Sequence, residues 1–170
     1  GAGYVAVSVS GGRVFTAGDH EARNCVMALS ESDGKTLWST PVGKAGAPGW
    51  GGYAGPRCTP TVDGERLYFI GQYGEVVCIE TATGKEVWRK HLVTDFGGKV
   101  PEWGYSESPL VDGDRIVMTP GGAQGAVLAL NKTTGAPLWQ SRGFTDEAQY
   151  SSVVRAEIEG VAQYIQLTMA

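Results

Sequence analysis

Two aromatic–glycine clusters are the parts of this chain best suited to hold a ligand. Trp50-Gly51-Gly52-Tyr53 and Trp103-Gly104-Tyr105 lie in glycine- and proline-rich segments between runs of strand-type sequence. Loops held by a rigid scaffold are where binding residues concentrate, and large aromatics supply flat contact area. A ligand would also need polar partners beside those rings, and Arg57, Glu102 and Glu107 are the nearest ones. The expected ligand-binding set is therefore Trp50, Tyr53, Arg57, Glu102, Trp103, Tyr105 and Glu107. The competing reading has both clusters plugging gaps between packed layers, and the sequence leaves the two open.

No catalytic residue is expected. Gly104-Tyr105-Ser106-Glu107-Ser108 has serine where the closing glycine of a nucleophile elbow belongs, and no strand-to-helix context. The glycine-rich stretch 46–55 lacks the spacing and the following helix of a phosphate loop. His20 and His91 have no ligand-type neighbours, so no metal site is expected. Cys25, Cys58 and Cys78 match neither a zinc pattern nor a disulfide framework, and Cys78 in particular reads as a small buried hydrophobe. Asn131-Lys132-Thr133 satisfies a glycosylation sequon but is more simply a turn.

Composition narrows the class of partner. A formal net charge of −4 with no Lys/Arg cluster argues against nucleic acid, which demands a basic footprint. No apolar stretch is long enough to span a bilayer as a helix, and the first residues do not form a signal peptide. Among 170 residues, 26 glycines and 8 prolines punctuate short apolar bursts, which is the texture of a turn-dense all-β protein.

The elements that must position the aromatic clusters come from an internal repeat. V-M-A-L-S-E-S-D-G-K-T-L-W ends at Trp38, V-V-C-I-E-T-A-T-G-K-E-V-W at Trp88 and V-L-A-L-N-K-T-T-G-A-P-L-W at Trp139, tryptophans 50 and 51 residues apart. Ala28, Cys78 or Ala129 stands ten residues before each tryptophan, and Gly34, Gly84 or Gly135 four before it. Upstream, residues 59–71 match 108–120, a weaker copy runs over 7–18, and a degenerate fourth opens at Ser151. Each copy converts to four short strands. Gly11-Gly12, Asp63-Gly64, Asp112-Gly113 and Glu159-Gly160 make the first hairpin turn, because glycine supplies the positive φ that tight connections need. No segment shows capped helical periodicity, so strand-turn-strand is expected throughout. Arg13, Arg66 and Arg115 recur just after that turn and read as solvated or inter-blade charges.

Four antiparallel strands repeated at this period are blades of a β-propeller. The expected fold is an all-β arc of three blades and half of a fourth, with repeats over about 4–41, 58–91, 107–141 and 150–170. Trp38, Trp88 and Trp139, with Gly34, Gly84 and Gly135, are expected to dock one blade on the next, since an isolated blade cannot hide its apolar faces.

At A-L-N-K-T-T-G-A-P-L-W (129–139) and its two copies, the sequence resembles the pyrroloquinoline-quinone-like β-propeller repeat. That family includes quinoprotein alcohol and sugar dehydrogenases, which carry a quinone and calcium on the propeller axis. It also includes non-catalytic propellers such as the lipoprotein of the bacterial outer-membrane barrel-assembly machinery and its uncharacterised relatives, which the linkers 49–60 and 101–109 resemble most. The dehydrogenase pattern needs adjacent cysteines, calcium ligands and a catalytic aspartate, none of which can be matched here. The resemblance thus implies a non-catalytic segment without evident cofactor, extracytoplasmic or periplasmic, binding a protein partner or small ligand on its loop face. It places Arg57 and Glu107 near the axis and counts further blades of a parent chain among the partners. The alternative it implies is an arc of a dehydrogenase dependent on pyrroloquinoline quinone and calcium.

Overall fold

The computed structural model describes residues 1–49 and 53–169. Three four-stranded antiparallel sheets follow one another along the chain, each in simple up-and-down order. The first holds β1 (Ser8–Ser10), β2 (Arg13–His20), β3 (Arg23–Ser30) and β4 (Thr36–Lys44). The second holds β5 (Thr61–Asp63), β6 (Arg66–Ile70), β7 (Glu75–Glu80) and β8 (Glu86–His91). Then come a one-turn helix α1 (Leu92–Phe96), the third sheet of β9 (Leu110–Asp112), β10 (Arg115–Met118), β11 (Leu128–Asn131) and β12 (Pro137–Gln140), and a hairpin of β13 (Val154–Ile158) and β14 (Val161–Ile165). This is the all-β blade architecture expected, three blades and the first two strands of a fourth.

The helix corrects the expectation of strand and turn alone. Leu92 and Phe96, four apart, are both buried, His91 Nδ1 accepts from the Val93 amide, and Gly97 closes the turn in the left-handed region. Local capping carries this single turn, too short for periodicity to reveal.

The cross-strand register explains why a small residue precedes each tryptophan by ten. Ala28 pairs with Trp38, Cys78 with Trp88 and Ala129 with Trp139, each beside a β-bulge at the following residue. The small partner leaves room for the indole to lean across the sheet. Trp38 reaches Phe15 at 5.9 Å between ring centroids and Trp88 reaches Tyr68 at 6.2 Å. Trp139, with Val117 at that place in its own blade, packs on Tyr164 of the next at 5.7 Å.

Two of the docking indoles also make a directional bond. Trp38 Nε1 donates to Thr81 O at 3.0 Å and Trp88 Nε1 to Lys132 O at 3.1 Å, so each indole ends in the last turn of the following blade. Glycine is required there twice over. Gly84 and Gly135 have φ of 74° and 71°, and a Cβ on either would stand 2.7 or 2.8 Å from the indole above it.

Two kinds of bond recur between the leading ends of successive blades. Ser8 Oγ donates to Pro60 O, and Thr61 Oγ donates to Pro109 O one blade later. The Thr59 amide likewise donates to Ser108 Oγ, and the Ser108 amide to Ser152 Oγ. These bonds bring the leading ends of β1, β5, β9 and β13 to one side of the arc. The main core lies between the sheets, with Phe15, Leu67, Phe69, Val77, Ile116 and Leu128 fully buried. Val153 is also buried, in a smaller cluster with Val117 and Ala129, whereas Val154, Ile158, Ile165 and Leu167 are exposed.

Candidate functional site

The residues just ahead of the innermost strands help to line an open concavity. A basin of ≈ 490 Å³ is lined by Tyr4, Tyr53, Arg57, Trp103, Ser106 and Tyr150. Its construction follows from the repeat. Pro60 and Pro109 are equivalent, so Arg57 stands at the register of Ser106, and the Ser108–Ser152 bond carries that register on to Tyr150. The Ser8–Pro60 and Thr61–Pro109 bonds carry it back to Tyr4. Four successive copies thus deliver one repeat position each to the basin. The two linkers add Tyr53 and Trp103.

The rings form a chain. Tyr4 meets Tyr53 edge-on at 6.3 Å, and Tyr53 lies 5.5 Å from Trp103. The Arg57 guanidinium sits over the Tyr4 ring at 5.2 Å, within cation–π range. Two of its N–H groups hold the linker, Nη1 donating to Gly55 O and Nη2 to Tyr53 O. Tyr4, Tyr53 and Tyr150 remain 59%, 52% and 41% exposed, so the apolar wall is open to a partner.

A buried polar network fixes the linker behind Tyr53. Asp19 Oδ2 accepts from the Gly46 amide at 2.7 Å, Gly46 O accepts from Gln72 Nε2 at 2.5 Å and from the Gly55 amide, and Asn24 Nδ2 donates to Asp19 Oδ1 and Gln72 Oε1. Asn24 and Gln72 are buried. The Tyr4 amide then donates to Pro56 O, tying the first copy to the same linker. The basin is pre-formed by bonds between blades 1 and 2.

The structure brings together Tyr53, Arg57 and Trp103 of the expected set and leaves Glu102, Tyr105 and Glu107 out of the lining. Glu102 is exposed but does not line the basin. Tyr105 is buried as a strut, its hydroxyl donating to Pro120 O and its amide to Gln72 O. Trp50 lies outside the described residues. Tyr4, Ser106 and Tyr150 line the basin without having been singled out from sequence. The signal for them was present, because each holds the repeat position of Arg57.

Glu107 is also beneath the surface, and its register explains what it does there. It is equivalent to Cys58, one residue past the lining position. Cys58 Sγ accepts from the Ile70 amide, and Glu107 Oε1 accepts from the Thr119 amide at the equivalent place in the next blade. The second carboxyl oxygen has no partner among the described residues. Burial raises the Glu107 carboxyl from 4.5 to about 8, against the lowering effect of Thr119, so it is largely neutral at pH 7. Burial also pushes the Cys58 thiol up to about 12 and Cys78 to about 11, which makes both inert.

The basin's lining is aromatic and hydroxylic. Arg57 is the one charged side chain in the described lining, and no nucleophile–base pair faces it. Among the described residues no group of three His, Cys, Asp or Glu side chains could hold a metal ion, and no helix is long and apolar enough to cross a membrane. The quinone-with-calcium arrangement does not fit this lining. Calcium takes roughly six to eight oxygen ligands with carboxylates among them, whereas the basin presents a guanidinium and hydroxyls.

The family model described as "Outer membrane protein assembly factor BamB" matches residues 22–169. A curated protein of that name from Aliivibrio fischeri is 34% identical over 86 residues, 50% of this chain and 21% of the relative. The crystal structure of BamB from Moraxella catarrhalis superposes with a TM-score of 0.57 at 19% identity, over 84% of this chain and 37% of that one. Quinohemoprotein alcohol dehydrogenase from Comamonas testosteroni superposes at 0.61, also 19% identical, over 83% and 21%. The last two likenesses show the fold alone, and the chain spans well under half the length of these relatives.

Proposed function

Since the chain belongs to the outer membrane protein assembly factor BamB family, we propose that it is a non-catalytic binding arc whose aromatic basin engages a protein partner outside the cytoplasm. The observation that carries this reading is the convergence of Tyr4, Arg57, Ser106 and Tyr150, with Tyr53 and Trp103, on one open apolar surface. An exposed aromatic patch set on a rigid scaffold is the usual form of a protein-interaction site, and Tyr, Trp and Arg are the residues enriched at its energetic centre. The basin's lining supplies neither an acid–base pair nor a donor set for calcium, so the dehydrogenase neighbours lend the arc their fold and not their chemistry. The family's role, assembly of outer membrane proteins, supports a periplasmic address and a partner in that process.

The test uses the full-length protein, immobilised and titrated with purified components of the outer-membrane assembly machinery of the same cell. Tyr53→Ala and Trp103→Ala, each leaving the melting temperature within a few degrees of wild type, should weaken capture at least tenfold. Unchanged capture by both variants would overturn the reading. So would alcohol- or sugar-dependent dye reduction after loading with pyrroloquinoline quinone and calcium.

A further inference from the structure

We propose that the basin receives one large apolar side chain, aromatic by preference, from an exposed segment of the partner, with an acidic residue of that segment pairing with Arg57. This rests on the reading of the basin as the partner site and names what the partner must present.

The shape of the site selects a side chain offered by a larger body. Small-molecule sites enclose most of their ligand and converge several polar groups on it. Here three tyrosines stay substantially exposed and the polar contribution to the lining is Arg57, Ser106 and the phenol groups. A partner that covers the rim brings its own exclusion of water, so an open basin suffices. The chain of rings Tyr4–Tyr53–Trp103, spaced at 6.3 and 5.5 Å with interplanar angles of 68° and 50°, presents both faces and edges. A further aromatic ring can join such a cluster edge-to-face or offset.

Charge selects the second element. The chain carries a net charge of −4, so a general attraction for anions is absent. In the basin the sign reverses locally, at Arg57. Two of its N–H groups bond Tyr53 O and Gly55 O, and the remaining ones have no acceptor among the described residues. A guanidinium held in place by its own linker and backed by the Tyr4 ring is pre-organised for a carboxylate. The same net charge disfavours an anionic lipid surface, which the chain as a whole would repel.

The experiment titrates the full-length protein by calorimetry with capped six-residue peptides, Gly-Ser-Phe-Glu-Ser-Gly and two relatives carrying Gln for Glu or Ala for Phe. The Phe-Glu peptide should bind tightest. Loss of the acid should weaken it by about 3- to 10-fold and loss of the ring by tenfold or more. Arg57→Gln should erase the difference between the Glu and Gln peptides while keeping the preference for Phe. Arg57→Lys, which keeps the charge, should restore part of the difference even if the linker shifts. Equal binding of Glu and Gln peptides to wild type would overturn the proposal, as would binding to phosphatidylglycerol vesicles but to none of the peptides. Should Tyr53→Ala still abolish capture of the natural partner in either event, the basin remains the partner site and only the proposed occupant falls. If Tyr53→Ala and Trp103→Ala leave partner capture intact, both readings fall.

Discussion

Replacing Glu107 with glutamine should remove a pH dependence of stability that this one buried carboxyl creates. The folded chain holds the carboxyl at about 8 against an ordinary 4.5, with burial as the main cause. A raised acid binds its proton more tightly folded than unfolded. Between those two values the native state therefore carries more protons than the unfolded state, and stability falls as pH rises. Its contribution is intact below about pH 4.5 and lost by about pH 8. At about 1.36 kcal/mol per pH unit, the gap amounts to about 5 kcal/mol at most. The groups around it do not titrate in this window. Cys58 is pushed up to about 12, burial pushes the Tyr105 hydroxyl upward as well, and Ser108 and Thr119 are neutral. Glutamine keeps the shape, retains an oxygen for the Thr119 amide and cannot ionise. The assay is denaturant unfolding of wild type and Glu107→Gln at pH 5, 6.5 and 8.5. The two should be close at pH 5, and the variant should gain several kcal/mol over wild type by pH 8.5. Histidines and surface carboxylates act equally in both proteins and cancel in the difference. Glu107→Cys, copying the Cys58 solution, should flatten the profile in the same way. Parallel pH profiles for wild type and both variants would refute the argument, because the carboxyl would then be ionised in the fold or screened by groups it does not touch here.

The other expectations are mechanical. Gly84→Ala should destabilise clearly more than Gly34→Ala when measured by denaturant melts: both glycines have positive φ, worth about 1–2 kcal/mol of strain with a side chain, but only Gly84 lies against an indole. Trp88→Ala should cost about 3–5 kcal/mol, as large core truncations do, since it loses its packing on Tyr68 and its bond to Lys132 O. An equal loss from Tyr53→Ala, an exposed ring, would reverse these roles. Gln72→Leu should cost about 1–3 kcal/mol by taking one of two hydrogen-bond partners from each of Asn24 Nδ2 and the Gly46 carbonyl. It should also speed proteolysis within 45–57, and a cleavage pattern identical to wild type would show that the network does not hold that linker.

Blade architecture was legible in the sequence because its determinants are local. Turn glycines, alternating strands and a small residue ten before each tryptophan all act within one copy, and repetition multiplies a weak signal threefold. Cys78 as a buried small residue followed from the same register. The one-turn helix at Leu92–Phe96 escaped, since a single capped turn has no period to detect. The basin is different in kind. Tyr4, Arg57, Ser106 and Tyr150 are far apart in the chain and share only a repeat position, and they meet because the innermost strands are bonded side by side. The same step of one residue decides between surface and core. Arg57 and Ser106 face the basin, whereas Cys58 and Glu107 turn inward to cap an amide of their own blade. Two-residue strand periodicity states that neighbours point to opposite sides. Which side is solvent is set only when one blade packs against the next, and that is a property of the tertiary structure.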